Sequence, residues 1–499
     1  MSTPMTTTAP PLARLTVRAC TELVVPAREF ACAIAAQQGF APAALQRLEL
    51  LTEEACLFVV EHGFEPGEDG SFDLILDRRP GKFVVAVEDK GLPIDFSKPP
   101  QESTLGLSLM RGFAEEISFL NLGKAGRRIE FTASLPARPV EDYLTAAERD
   151  RSAEPPPLAS DTPRLRLMTE QDAVALSRCI YRAYGYTYVD FVYYPDRIAD
   201  MLRSGLMMSC VAENDAGEIV GHLALLRNGP ESAIAESAAA VVDPRYRGHA
   251  LFKTMKIFMA EEAKRRGLLG LYSEAMTLHP FTQKGNIALG AHETGLVLAY
   301  VPGDVNTRKI DASAQGERAA LLLYYMRTNA EPHRVIYAPP RHRAVLEDIC
   351  QRIGLDREFG TNSDAPPFAD STRLDIRVRP ELGIAAITVR ACGADAGQQI
   401  RHHLVDLCRR KVDAIYLDLP LGDPAAASLC AACEAAGFFF AGMIPEYDNG
   451  DVLRLQYLNN LDINMDGIVV VSDTGRRLFD HVAAERQRAG EGARVAAVA

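Results

Sequence analysis

The chain has 499 residues, of which 47% are hydrophobic and 24% charged, and its formal net charge at pH 7 is −12. This length predicts several domains, and the negative charge argues against nonspecific binding to nucleic acids. No apolar run reaches the roughly 18 residues of a membrane span. We therefore expect a cytoplasmic protein that contacts neither nucleic acid nor membrane directly.

The first fourteen residues have no basic start and no apolar core. This composition predicts a disordered tail rather than a signal peptide. The ten cysteines are scattered, and the lone pair Cys430 and Cys433 has no second pair to complete a zinc site. We expect buried thiols in a reducing cytoplasm and no metal site.

Residues 15–136 predict one α/β domain. A short alternating strand comes first, followed by two helices with apolar residues at helical spacing, the second ending at Gly63. Two strands joined by Pro80 and Gly81, a glycine-containing loop, a helix from Thr104 and two final strands complete the pattern. This order predicts helices packed against a sheet built from hairpins.

Four positions in this domain carry a family resemblance. Glu54 lies on the second helix, Asp89 and Gly91 lie in the loop after a strand, and Gly106 comes just before a helical stretch. The arrangement resembles the ATP-binding domain of the anti-sigma serine kinases, which has the GHKL (histidine-kinase-like ATPase) fold. The resemblance implies ATP as a ligand. In such domains the aspartate receives the adenine amino group, the first glycine admits the base, and the later glycine segment covers the phosphates.

The same domain departs from that family at two positions. Phe58 stands where the family has its Mg²⁺-binding asparagine, and Thr104 replaces the first glycine of the segment over the phosphates. A phenyl ring cannot coordinate a hard cation, so we expect no Mg²⁺-assisted phosphoryl transfer. A regulatory or partner-binding module is favoured, and nucleotide binding without hydrolysis stays open. A sigma factor or an anti-sigma-factor antagonist is the candidate partner.

Residues 137–164 are rich in proline, alanine and charge, with three prolines at 155–157. Such a segment cannot bury a core, so we predict an extended linker, with a short helix at 140–151 as an option.

Residues 165–310 predict a second α/β domain. An uncharged run of small and β-branched residues reads as a buried strand that ends at Asp243 and Pro244. A turn from Arg245 to Ala250 follows, and helical apolar spacing begins at Leu251. A glycine turn before a helix leaves backbone N–H groups free, and together with arginines it favours a phosphate.

The spacing Arg245-x-x-Gly248-x-Ala250 resembles the pyrophosphate-binding motif of the GNAT superfamily of N-acetyltransferases, and the resemblance extends over 165–302. It implies acetyl-CoA or another acyl-CoA as cofactor. Glu236, eight positions before Pro244, occupies the place of the family's general base. The implied cofactor-binding residues are Val241, Val242, Arg245, Arg247, Gly248, His249 and Ala250.

Acyl transfer from CoA releases a thiolate, which an acidic side chain of the enzyme can protonate. The family often supplies a tyrosine four residues before the glycine of its last motif, which here is Gly295, but that position is Ala291. Tyr300 and Tyr272 are candidate substitutes, and Glu274 is a second candidate base. A group of tyrosines between 181 and 194 either lines an acceptor pocket or packs against the sheet.

Residues 316–473 predict a degenerate second GNAT-like copy. The strand and helix order repeats, but Ala396 stands ahead of Gly397 where the phosphate motif would need an arginine. We expect a structural role for this copy, packed sheet to sheet against the first. Residues 474–499 predict a charged helix with a disordered end.

The predicted fold class is α/β: a GHKL-type sandwich followed by two tandem GNAT-type mixed sheets flanked by helices. The predicted function is acyl-CoA-dependent N-acyl transfer to an amine, either a small molecule or a protein lysine, under an amino-terminal domain that senses nucleotide or a partner. The alternative is a non-catalytic anti-sigma-type regulator that binds acyl-CoA or ATP as a signal.

Overall fold

The computed structural model describes residues 11–65, 68–79, 81–91, 104–121, 126–145, 148, 161–186, 188–246, 250–303, 318–361, 372–448, 450–461 and 463–498. The described residues form two compact units, one of 11–136 with 372–378 and one of the rest. Among these residues, no helix combines the length and the apolar character that crossing a membrane requires.

The first unit is a layer of helices on an antiparallel sheet. The strands follow the order β1-β2-β3-β5-β4, and apolar side chains of helices and strands share one core. The elements are β1 (Ala13–Arg18), α1 (Val24–Gln37), α2 (Pro42–His62), β2 (Ser71–Arg79), β3 (Lys82–Asp89), α3 (Thr104–Phe113), β4 (Glu116–Asn121) and β5 (Arg127–Ser134). The predicted order of helices and hairpins is confirmed.

The second unit is built on one large sheet with helices packed against it. Its first elements are β6 (Arg164–Leu167), α4 (Ala173–Tyr184), α5 (Pro195–Arg203), β7 (Met207–Glu213), β8 (Ile219–Leu226), β9 (Ile234–Val242), α6 (Leu251–Arg265), β10 (Gly270–Met276), α7 (Phe281–Ala288), β11 (His292–Val301) and β12 (Ala319–Arg327).

The remaining elements of the chain are β13 (Arg334–Ile336), α8 (Arg343–Ile353), β14 (Arg357–Phe359), β15 (Arg373–Arg379), β16 (Ile384–Ala391), α9 (Ala396–Arg409), β17 (Ala414–Pro420), α10 (Ala426–Ala435), β18 (Phe439–Ile444), β19 (Val452–Leu458) and α11 (Asp473–Val498). Of β15, only Arg379 belongs to the second unit.

The two copies join edge to edge. Neighbouring strands run β16-β17-β19-β18-β11-β12-β10-β9-β8-β7-β6. Outward from the contact of β11 with β18, both halves repeat the same order and directions, including one parallel pair each, β9 with β10 and β16 with β17. The α/β class and the second copy are thus confirmed, but the expected packing of two separate sheets is corrected to a single continuous sheet.

Three expected boundaries differ from the structure. β12 lies between β11 and β10, so the first copy continues past residue 310. The start of the expected linker forms a 3₁₀ turn, Val140–Tyr143, whose Val140 is fully buried in the core of the second unit. The carboxy-terminal helix begins at Asp473, one residue before the expected start, and extends to Val498. Of the expected amino-terminal tail, 1–10 lie outside the described residues.

The junction between the halves depends on two glycines and one buried amide. Gly295 pairs with Gly442, and a Cβ on Gly295 would lie 2.4 Å from the Ala441 carbonyl oxygen. Beside them the fully buried Gln456 accepts from the Leu298 N–H at 2.8 Å and donates to the Leu296 carbonyl at 3.2 Å. A side chain thus supplies hydrogen bonds where the strands make few of their own.

Replacement of Gly295 by alanine tests the junction. Because the added methyl group would meet backbone atoms on both sides, we expect Gly295→Ala to lower the free energy of unfolding by about 1–3 kcal/mol. Thermal melting and hydrogen exchange of β11 and β18 measure the effect. Gly422→Ala is the matched control, since a Cβ there meets nothing within 4 Å. Equal behaviour of the two variants would contradict the steric account.

Candidate active site

A gap between two parallel strands lies at the centre of the first copy. β9 and β10 pair from Ile234 opposite Gly270 to Glu236 opposite Tyr272, and no further pair follows although both strands continue. The strands therefore separate directly after Glu236. In the second copy, β16 and β17 stay paired for five residues instead of three. The gap leaves backbone groups of β9 and β10 facing each other without ladder partners.

A β-bulge changes the direction of β9 beside this gap. Between Ala238 and Val241, β9 has one more residue than β8 opposite it, and Ala239 adopts a φ of +50°. The Ala239 carbonyl accepts a hydrogen bond from Nδ1 of the buried His222 at 2.7 Å. Burial lowers the pKa of His222 to about 4, so the ring is neutral and its proton is on Nδ1. His222 thereby fixes the bulge, which redirects the strand.

The two valines predicted to hold a thioester carbonyl differ in orientation. The Asp243 N–H donates to the Val220 carbonyl of β8 at 2.8 Å. Because successive N–H groups of a strand point to opposite sides, the Val242 N–H faces the gap and the Val241 N–H faces β8. Val242 therefore suits the predicted role and Val241 does not.

The predicted phosphate turn is only partly described. Arg247, Gly248 and His249 lie outside the described residues, and Ala250 adopts a left-handed φ of +52° just before α6. The Arg245 guanidinium contacts the carboxylates of Asp243 at 2.9 Å and Glu218 at 2.8 Å. These ion pairs anchor the end of β9. A phosphate here would depend on backbone N–H groups at the start of α6 more than on Arg245.

Two glutamates stand at the point where the strands separate. Glu236 lies on β9, and Glu274 lies on β10 two residues after Tyr272, so both β10 side chains share one face. The Tyr272 hydroxyl donates to Glu236 Oε2 at 3.3 Å. Removal from bulk water raises the pKa of both carboxyls, and the charge of Glu236 raises that of Glu274 further. The pKa of Glu274 is thereby raised to about 7, and the pKa of Glu236 lies above its ordinary value, so both carboxyls are stronger bases than exposed glutamates.

The second copy supplies the opposite charges. Arg379 and Arg454 are near enough to lower the pKa of both glutamates against the effect of burial. Arg454 is buried and forms a two-pronged pair with Asp418 at 2.7 and 2.8 Å. The Tyr447 ring packs edge-on against Tyr272 with 5.6 Å between centroids. The expectation that this copy is only structural is therefore corrected: it contributes side chains to the site.

Tyr300, the predicted catalytic tyrosine, contacts side chains of the second copy. Its hydroxyl accepts a hydrogen bond from Arg379 Nη1 at 3.2 Å, and its ring lies 5.5 Å from that of Tyr416. Burial raises the pKa of Tyr300, and burial also raises that of Tyr272. Both phenols hold their protons tightly and are weak acids, so the geometry favours Tyr300 as a residue that positions Arg379.

The tyrosine group packs in the core and also borders the site. Tyr184 and Tyr188 stack with 4.7 Å between centroids, and the Tyr184 hydroxyl donates to the Ala240 carbonyl of the bulge at 3.2 Å. Burial raises the pKa of Tyr188, and the charge of Glu236 adds to this effect. Tyr188 thus lies within electrostatic reach of Glu236. The packing interpretation of the group is confirmed, and the acceptor pocket stays a prediction.

In the first unit the predicted adenine-binding carboxylate is already paired. Asp89 and Arg127 are both buried, and Arg127 donates to Asp89 Oδ1 through Nη2 at 2.5 Å and through Nε at 3.1 Å. The Gly91 N–H donates to the same oxygen at 2.9 Å. All three hydrogen bonds fall on Oδ1, and the Arg127 guanidinium already compensates the negative charge of this carboxylate.

Glu54 and Gly106, two other residues predicted to bind the nucleotide, lie close together. A Cβ on Gly106 would lie 2.6 Å from Glu54 Oε2, so the absence of a side chain lets α3 approach α2. Phe58 is buried in the hydrophobic core of the unit. Its position therefore stabilises the fold and offers no metal ligand.

Sequence reasoning missed one further cluster. His342, Cys430 and Glu434 bring potential metal-ligand atoms within 4.8 Å of one another. His342 Nε2 lies 2.7 Å from Glu434 Oε1, and Arg488 lies 3.1 Å from the same oxygen. Cys430 and Cys433 are buried free thiols, and burial raises the pKa of Cys433 to about 12. The nearby arginine disfavours a cation here, and the thiols are inert as expected.

The chain matches one family model and is similar to several solved structures. Residues 17–133 match the family model of the histidine kinase-like ATPase domain, which confirms the resemblance of the first unit. No curated protein matches the chain. Among solved structures, ribosomal-protein-S18-alanine N-acetyltransferase from Escherichia coli is similar with a TM-score of 0.28 and 14% identity, over 34% of this chain and 96% of that one.

Two further solved structures are similar. A GNAT superfamily phosphinothricin acetyltransferase from Sinorhizobium meliloti, in complex with AcCoA, has a TM-score of 0.27 and 16% identity over 34% of this chain and 89% of that one. The ribosomal-protein-alanine N-acetyltransferase from Brucella melitensis has a TM-score of 0.27 and 19% identity over 33% of this chain and 99% of that one.

Removing one half of the buried pair in the first unit should be costly. Arg127→Met leaves the Asp89 carboxylate buried with little compensation, and we expect the unit to lose about 3–5 kcal/mol of stability. Thermal melting with hydrogen exchange of β3 and β5 measures the loss. Arg14→Met is the control, because Arg14 and its partner Asp73 are partly exposed and 3.6 Å apart. A loss below about 1 kcal/mol would show that the pair is not formed in solution.

The stability of the second unit should depend on pH through Glu274. Because its pKa is raised in the folded state, the stability due to its proton is present at low pH and lost as pH rises through the folded value. Glu274→Gln mimics the protonated acid. We expect this variant to be more stable than the native chain by about 1–2 kcal/mol at pH 8 and by much less at about pH 4.5.

Urea unfolding at the two pH values measures this difference. Glu261→Gln, at an exposed glutamate of α6, is the control and should change stability by less than about 0.5 kcal/mol at either pH. A Glu274→Gln effect that is the same at both pH values would contradict a raised pKa.

Proposed function

We propose that the second unit is an acyl-CoA-dependent N-acyltransferase that transfers an acetyl group to an amine. The observation that carries this proposal is the separation of β9 and β10 directly after Glu236. It places a carboxyl with a raised pKa at the apex of a gap, and the Val242 N–H faces the same gap. The sequence resemblance to the GNAT superfamily supports acetyl-CoA as the cofactor.

The fit of the cofactor rests on backbone groups of the gap and on the start of α6. When bound, an acyl-CoA supplies a thioester whose acyl carbon an amine nitrogen can attack. The Val242 N–H donates to the carbonyl oxygen and stabilises the negative charge that develops there. First-turn N–H groups of α6, beside Ala250, face the phosphates.

Glu236 deprotonates the ammonium group of the acceptor. An ammonium group cannot attack, so Glu236 takes one of its protons, directly or through a water molecule. The amine nitrogen then forms a bond to the acyl carbon, the carbon–sulfur bond breaks, and the sulfur leaves with the electron pair. The nitrogen releases its second proton to water as the amide forms. A thiolate with a pKa of about 8.5 can take its proton from water, so the weakly acidic Tyr272 and Tyr300 are not needed as donors.

The first unit is proposed to be a regulatory module. The Asp89–Arg127 pair and the core position of Phe58 count against kinase activity, and they favour recognition of a protein partner over Mg²⁺-ATP. A sigma factor or an anti-sigma-factor antagonist remains the proposed partner. The second candidate function, a regulator that binds acyl-CoA without turnover, differs in one measurable respect: no thiol is released.

The test is thiol release from acetyl-CoA with a panel of amines, in the native chain and in Glu236→Gln. An amide cannot take the proton, so we expect the rate of acetyl transfer to fall by about 10²–10⁴-fold. In the native chain the rate should rise with pH through the raised pKa of Glu236. Ser237→Ala, on the other face of β9, is the control and should keep the native rate.

Two results would overturn parts of this proposal. Binding of CoA without any thiol release would favour the regulator that lacks turnover. A Glu236→Gln variant as active as the native chain would remove Glu236 as the base and leave Glu274 as the candidate.

A further inference from the structure

Arg379 differs from the other arginine beside the site. Arg454 is buried and its guanidinium is held by Asp418, whereas Arg379 is exposed and its only hydrogen bond among the described residues is to the neutral Tyr300 hydroxyl. Its charge acts on Glu236 and Glu274, yet no ion pair within 4.0 Å joins it to either among the described residues. The guanidinium thus lies within electrostatic reach of both carboxyls.

The position of Arg379 is fixed by its surroundings. It ends β15, and the following turn is tied to β11 by Arg318, which donates to the Ala299 carbonyl at 2.7 Å and to the Leu382 carbonyl. The same arginine contacts Asp413 at 2.9 Å. Three anchors therefore hold the segment that carries Arg379 next to Tyr300, and its exposed head is left for a ligand.

The charges of the site select the class of acceptor. Arg454 and Asp418 cancel each other. Glu236 and Glu274 offer carboxyl oxygens that accept hydrogen bonds from an ammonium group, and the Arg379 guanidinium offers N–H donors and a positive charge to a carboxylate. A site of this kind complements a molecule that has one ammonium and one carboxylate group. A diamine would leave Arg379 facing a second cation, and a protein lysine brings no carboxylate for it.

We propose that the acceptor is a free amino acid, whose ammonium lies at Glu236 and Glu274 and whose carboxylate is bound by Arg379. This inference rests on the proposed acyl transfer. A guanidinium recognises a carboxylate through two parallel hydrogen bonds, which gives both affinity and orientation. With the carboxylate held at Arg379, the ammonium is turned toward Glu236, and the aromatic rings of Tyr272 and Tyr447 stand beside the side chain.

The experiment compares matched acceptors with the full chain and acetyl-CoA. Each of the twenty proteinogenic amino acids is assayed beside its carboxamide, and phenethylamine and cadaverine serve as amines without a carboxylate. For at least one amino acid we expect kcat/KM to exceed that of its carboxamide by tenfold or more. In Arg379→Gln this ratio should fall to near one, mainly through KM, and Arg379→Lys should restore it in part.

Arg401→Gln, at an exposed arginine of α9, is the matched control and should keep the native ratio. Acetylation of amines and carboxamides as efficient as that of amino acids would overturn this inference and leave the acyltransferase proposal standing. A preference for amino acids that survives in Arg379→Gln would overturn the role of Arg379. No thiol release with any acceptor would overturn the proposed function, and the inference with it.

Discussion

The close approach of β11 and β18 at Gly295 and Gly442 is the constraint on which the second unit depends. Two strand edges meet there without side chains, and the buried Gln456 supplies hydrogen bonds across the contact. Because the contact is so close, the two copies share one sheet. That shared sheet brings Arg379, Tyr447 and Arg454 of the degenerate copy to the glutamates of the other. The degenerate copy has lost the predicted phosphate motif but forms one wall of the site.

Burial and charge oppose each other in this site. Withdrawal from water favours the protonated forms of Glu236 and Glu274, while Arg379 and Arg454 favour the ionised forms. Burial is the larger effect, so the carboxyls titrate above the range of exposed glutamates. A base that holds a proton near neutral pH costs stability when it ionises, and this cost is typical of functional sites. The neutral His222 serves the same site by fixing the bulge of β9.

The first unit has the expected fold, and two of its candidate ligand-binding positions make internal contacts. The match over 17–133 and the predicted elements agree with a histidine kinase-like ATPase domain. Within that fold, the carboxylate expected at the adenine is paired with Arg127, and the expected metal-binding position is a phenylalanine in the core. Asp89 and Phe58 thus both make internal contacts within the unit.

The sequence by itself determined the order of elements in the first unit and much of that in the second, because hydrophobic periodicity and turn residues act locally. It did not predict β12, β14 or α7. It also gave Glu236, Tyr272, Glu274 and Tyr300 as candidate site residues, since these lie in or beside one motif-bearing segment. It could not assign β12 to the first copy, because a strand apolar on both faces does not reveal its neighbours. Nor could it find Arg379, Arg454 or the Arg127–Asp89 pair. Those contacts join residues far apart in the chain, so only the tertiary structure decided them.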